Sequence, residues 1–131
     1  MGTLRYLLDT CTFLWLAQEP ERLSAKAAAV LDADENEFSV SDVSVWEVTL
    51  KHTAGKLPLP DTPRSWIAEK FAHHRLLRLT LTHDAIFRSG ELPKAHRDPF
   101  DRLLAAQALT EQLTILSPDL PLSLLGAARV W

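Results

Sequence analysis

Four acidic residues in this 131-residue chain stand where they could do chemistry together: Asp9, Glu47, Asp98 and Asp119. Asp9 ends the apolar run LRYLL, Asp119 follows TILS by one residue, Asp98 opens DPFD, and Glu47 lies within SVWEVTLKH. Each has an ordinary structural explanation. Asp9 could cap the helix that follows it. Glu47 could form a solvated pair with Lys51, one helical turn on. Asp98, with Pro99 and Asp101 behind it, makes a complete helix N-terminus. Ser117-Pro118-Asp119 reads as a turn. Their joint placement needs a further reason, because one sheet edge would collect three of them and a neighbouring helix could supply the fourth. Like charges so gathered disfavour one another's ionised forms unless a cation is present. Hard cations such as Mg²⁺ take oxygen ligands and keep several waters. An activated water and charge compensation at phosphate are what phosphodiester hydrolysis requires.

The elements that must position these acids alternate between strand and helix. Residues 4–8 read as a buried strand, 12–17 as a short helix, and 25–33 as an alanine-rich helix capped by Ser24. EFSVS at 37–41 alternates with period two and reads as the second strand. Residues 43–54 form the next helix, with Val43, Trp46 and Leu50 at helical spacing, Ser44, Glu47 and Lys51 on the opposite face, and Gly55 as the stop. Thr62-Pro63 starts a helix to about residue 74. A third strand is expected at 76–81, a short helix capped by Thr82 ends at Gly90, and Asp98 opens a helix to Gln112. A fourth strand is expected at 114–117 and a fifth, at the edge, at 127–131. Such alternation predicts an α/β fold of three layers, α/β/α, with a mostly parallel central sheet of four to five strands. In such sheets functional groups gather beyond the carboxyl ends of the strands.

Composition sets the bounds. The chain is 47% hydrophobic and 24% charged, which suits one globular domain over residues 1–131 and excludes disorder. No apolar stretch reaches the length of a membrane span, Arg5 and Asp9 interrupt any secretory core, and the single Cys11 fits a reducing compartment, so a cytoplasmic protein is expected. A net charge of −3 argues against a polyanionic substrate. Once the four candidate ligands are set aside, however, the remaining acids and the 14 bases nearly balance.

The segments LLDTCTFLW at 7–15, SDVSVWEVTLKHTAGKLPL at 41–59 and HRDPFDRLLAAQA at 96–108 resemble the PIN-domain ribonucleases, specifically the VapC toxins of prokaryotic toxin–antitoxin pairs. The resemblance covers essentially the whole chain, and the third segment is the most specific. It implies a PIN fold and endonucleolytic cleavage of RNA dependent on Mg²⁺, with Mn²⁺ as a substitute. It also implies a homodimer and a cognate antitoxin partner. Carried over, Asp9, Glu47 and Asp98 match the principal acids and Asp119 the more variable fourth. Asp101 would bind metal through water or steady Arg102. In this reading Asp9 and Asp98 hold the metal, Glu47 helps deprotonate the attacking water, and Asp119 completes the outer shell or serves a second metal. Lys51, Lys94, His96, Arg97, Arg102 and Ser117 are candidates for RNA contacts. Three positions depart from the pattern: Cys11 stands where His is common, Ser117-Pro118-Asp119 replaces Thr-x-Asp with the hydroxyl kept, and the terminal LPLSLLGAARVW lacks a tyrosine before Trp131. An aspartyl phosphatase is set aside because Cys11 occupies the place of its second Asp. A phospho-receiver is set aside because its phosphoacceptor ends a central strand. The remaining alternative is a catalytically silent PIN domain that binds only an antitoxin or RNA.

Overall fold

The strand that ends at Asp9 lies at the centre of the sheet. In the computed structural model, which describes residues 4–94 and 96–131, five strands pair in the order β3-β2-β1-β4-β5. They are β1 (Arg5–Leu8), β2 (Glu37–Ser41), β3 (Leu77–Leu79), β4 (Thr114–Leu116) and β5 (Arg129–Val130), and every pairing is parallel. The helices are α1 (Thr10–Gln18), α2 (Ala25–Asp32), α3 (Asp42–Thr53), α4 (Pro63–His73), α5 (His83–Glu91), α6 (Pro99–Glu111) and α7 (Leu120–Leu124), with a 3₁₀ turn at Pro20–Arg22. Residues 1–3 and 95 of the expected 1–131 domain lie outside the described residues.

Strand alternation divides the core in two. Tyr6 and Leu8 pack with Phe13, Val40, Val48 and Trp66 on one face. Leu7 packs with Leu104, Ala105, Ile115 and Leu122 on the other. Each large side chain so buried contributes about 1.5–3 kcal/mol, and the helices covering both faces give the three layers expected.

The chain builds β1, β2 and β3 outward to one side, then returns to lay β4 and β5 on the other. The order therefore reverses between β1 and β4, where ligands bind in open α/β sheets. The three central strands run into Asp9, Ser41 and Ser117, which are 3%, 0% and 0% exposed. Because β1 is first in sequence but central in space, strand position alone does not separate Asp9 from a phosphoacceptor. Strand order does, since the receiver sheet runs 2-1-3-4-5.

Four expectations need correction. The first helix begins at Thr10, directly behind Asp9, because Asp9 itself is its N-cap. The third strand is confined to Leu77–Leu79. Before it, the Leu76 N–H closes the end of α4 on Phe71; after it, the Leu81 N–H turns to the Asp42 carboxylate. Helix α7 replaces part of the irregular C-terminal run: Asp119 stands at its cap, Pro121 lies in its first turn, and Gly126, at φ 95°, follows it. In α3 the Ser44 face turns inward, with Ser44 fully buried, whereas Trp46 and Leu50 remain 53% and 45% exposed. The physical reason is that Ser44 and Glu47 find a hydroxyl partner on α1, while Trp46 packs edge-on against Phe100 of α6, ring centroids 5.1 Å apart.

Candidate active site

Asp9 is fixed by three donors. One carboxylate oxygen, Oδ1, accepts the Thr12 N–H at 2.9 Å, as an N-cap does. The other, Oδ2, accepts the Ser117 hydroxyl at 2.5 Å, and the Cys11 thiol lies 3.4 Å from both oxygens. Burial raises the Asp9 pKa, and the hydrogen bonds from Ser117, Thr12 and Cys11 oppose that rise. Ser117 also accepts the Asp119 N–H at 3.0 Å, so one buried hydroxyl couples the ends of β1 and β4. The Cys11 thiol is pushed well above its ordinary range, chiefly by burial and then by the charges of Asp9 and Asp119. The Thr12 hydroxyl is a buried polar atom with no hydrogen-bond partner among the described residues.

Glu47 reaches the cleft from α3. Its Oε1 lies 2.6 Å from Thr10 Oγ1, which lies 2.9 Å from Ser44 Oγ. A hydroxyl has one proton. Thr10 therefore donates to the carboxylate and accepts from Ser44. The Glu47 side chain is only 13% exposed, and Lys51 Nζ stands 2.7 Å from its Oε2. The expected Glu–Lys pair is present, with its acid turned inward and its lysine outward.

The third group lies at the start of α6. Asp98 is exposed and caps the helix, its Oδ1 accepting from Phe100 N at 2.9 Å and Asp101 N at 3.2 Å. Asp101 pairs with His96 Nε2 at 2.8 Å. Burial, together with the charges of Asp98 and Asp119, raises the Asp101 pKa to about 6 against the pull of His96. Among the described residues, His96, Asp98 and Asp101 are the three whose ligand atoms all lie within 4.8 Å of one another; Asp9, Glu47 and Asp119 do not join that group. The acids thus form one neighbourhood, linked through Ser117, Thr10 and the mutual influence of Asp101 and Asp119, rather than one tight knot.

Two residues expected at the substrate have other partners. The Ser117 hydroxyl is buried and committed to Asp9 and Asp119. Arg102 gives its donors to backbone carbonyls and none to Asp101, whose partner is His96. Sequence reasoning gave Thr10 no role; its only signal was its place directly behind Asp9. The donor set is nearly all oxygen, with carboxylates of incomplete compensation and an unpaired buried hydroxyl beside them, which suits a hard divalent cation. A groove of about 880 Å³ lies elsewhere, between α3 and α4.

A parallel α/β sheet with a carboxylate cleft at the point where strand order reverses defines the class of protein. The chain belongs to the PIN domain family, whose sequence model matches residues 6–123. It is 26% identical over 115 residues to "Ribonuclease VapC22" of Mycobacterium tuberculosis, covering 86% of this chain and 85% of that one. In fold it is similar to a chain of VapBC2 from Rickettsia felis bound to a DNA fragment from its promoter (TM-score 0.71, 14% identity, 97% and 98% of the two chains). It is also similar to a chain of VapBC-1 from nontypeable Haemophilus influenzae (TM-score 0.67, 13% identity, 97% of each). No helix among the described residues is long and apolar enough to cross a membrane.

Proposed function

We propose that this chain is a divalent-metal-dependent endoribonuclease and the toxin of a toxin–antitoxin pair. The observation that carries the reading is Asp9: a carboxylate 3% exposed, at the end of the central strand, with no cation paired to it among the described residues. A buried, unneutralised carboxylate beside further acids is unfavourable by itself and favourable around a cation. Asp9 and Asp98 would hold Mg²⁺ or Mn²⁺, with Glu47, Asp119 and Asp101 engaged through water. When bound, such an ion supplies an acidified water and compensates charge on the scissile phosphate.

The chain's own residues do the rest. Ser117 and Thr12 hold Asp9 in one orientation. Thr10, backed by Ser44, holds Glu47 Oε1, so that Oε2 can accept a proton from the attacking water once Lys51 turns to a substrate phosphate. Lys51 and Arg97 are exposed and would contact RNA phosphates. An acidic cleft of this kind suits an antitoxin that inserts an arginine, which can pair with carboxylates bidentately. The exposed Trp46 and Leu50 offer apolar surface for a protein partner, a second copy in a homodimer included. The test is cleavage of a structured RNA by purified, antitoxin-free protein in Mg²⁺, Mn²⁺ and EDTA. Cleavage with either metal and none in EDTA is expected. Cleavage persisting in EDTA sinks the metal reading, and none in any condition leaves the silent binding module.

A further inference from the structure

One side chain holds the loop between α5 and α6. Arg102, in the first turns of α6, donates from Nε and Nη2 to Ser89 O at 3.1 and 2.8 Å. It also donates from Nη2 to Leu92 O at 2.9 Å, and from Nη1 to Pro93 O and His96 O at 2.7 and 2.9 Å. A guanidinium has five N–H donors in a rigid fork and no acceptor. All five are taken, and none is left for a ligand. Ser89 and Leu92 lie at the C-terminal end of α5, where carbonyls lack intrahelical partners and a positive charge is favoured. Arg102 therefore ties the last turn of α5, the loop, and the turn of α6 that carries Asp98.

The braced loop borders a pocket of about 290 Å³ lined by Lys94, His96, Arg97 and Arg102. His96 leans on Asp101 and connects this pocket to the acids. Lys94 and Arg97 are exposed and make no ion pair with the described residues. Two uncompensated cations, with a third in the wall, favour an anion as occupant by the same rule that makes the neighbouring acids favour a cation. The geometry points to a preformed phosphate subsite: Lys94 and Arg97 contact a phosphodiester of the substrate strand next to the cleaved one, and Arg102 is a positioning residue that braces the loop beneath them. The phosphate assignment rests on the nuclease reading; the brace does not.

The experiment has two arms. In the first, a fluorescein-labelled RNA hairpin is titrated in Mg²⁺ over a NaCl series with protein carrying Glu47→Gln to prevent turnover. Adding Lys94→Ala or Arg97→Ala should weaken binding at low salt and reduce the slope of log K against log salt by about 0.7–0.9 each. In the second, hydrogen exchange is measured without RNA. Arg102→Lys has three donors for four carbonyls, so exchange over residues 89–98 should quicken by at least about tenfold, with the remainder of the chain as the folding control. Unchanged slopes in both alanine variants, while the parent cleaves RNA, overturn the subsite and leave the nuclease intact. Unchanged exchange over residues 89–98 in Arg102→Lys overturns the brace. A parent that cleaves no RNA counts against the nuclease reading, and the exchange arm still decides the brace.

Discussion

Asp9 and Asp98 are both helix N-caps beside the same cleft, yet Asp9 is 3% exposed while Asp98 stands in solvent. Asp9 is held by the first turn of α1 and the end of β4, through a backbone N–H and a buried hydroxyl. Asp98 is held by its own helix and by a loop that Arg102 ties down. The difference separates two tasks. The sheet fixes a carboxylate that burial makes costly to ionise, which in the proposed reading a cation offsets. The loop side carries an accessible carboxylate beside the basic residues that a substrate strand would meet.

The largest effect should come from the buried side. Asp9→Asn keeps the shape and removes the charge, so cleavage should fall by at least roughly 100-fold, as for loss of a metal ligand. In EDTA the same variant should melt higher than the parent, because burial disfavours the charged form of Asp9. Initial rates and calorimetry in EDTA check both. A variant that is inactive and also less stable would mean that Asp9 is chiefly a structural cap.

A smaller effect follows from Asp101. Its pKa rises from 3.8 to about 6, so the folded form holds its proton more tightly than the unfolded chain. The stability this gives is fully present below pH 3.8 and is lost as pH rises through about 6. Denaturant unfolding in EDTA between these limits should show that decline, and Asp101→Asn should flatten it while His96, Asp98 and Asp119 stay in place. Parallel profiles for the two proteins would remove Asp101 as the source.

The smallest effect is expected at Cys11. Its thiol is held protonated by burial and by the charges of Asp9 and Asp119, so it is a poor nucleophile. Cys11→Ser should retain most activity, and thiol-blocking reagents should act only by crowding the cleft. A loss as large as that of Asp9→Asn would contradict this.

Much of this was legible in the chain. Period two and apolar runs marked β1, β2 and β4, and caps marked α2, α4, α5 and α6 to within a residue or two. Asp9, Asp98 and Asp119 are placed by strand ends and helix starts that carry cap and proline signals, and Glu47 by the body of α3. The orientation of α3 was legible only in part: of the stripe Val43, Trp46 and Leu50, Val43 is buried, but the site's hydroxyls draw Ser44 and Glu47 inward and Trp46 and Leu50 stay exposed. Periodicity gives a helix its faces without saying which of them a distant hydroxyl will claim. Arg102 was unreadable for the same reason, because its partners are backbone carbonyls of residues 89–96, and carbonyls carry no sequence signature. Helix α7 has only five residues, too few for its spacing to stand out against LPLSLLG.

Asp98→Asn tests the central claim, a cation held by the carboxylate cleft, most directly. Asn caps a helix about as well as Asp, so the bonds to Phe100 and Asp101 survive and only the charge goes. Thermal melts of parent and variant, in EDTA and across a Mg²⁺ titration, read binding without turnover. The account predicts that Mg²⁺ raises the parent's melting temperature with concentration, that this rise shrinks in the variant, and that the variant's RNA cleavage collapses. Its melting temperature in EDTA should equal or exceed the parent's. An active variant whose melting temperature follows Mg²⁺ as the parent's does would contradict it.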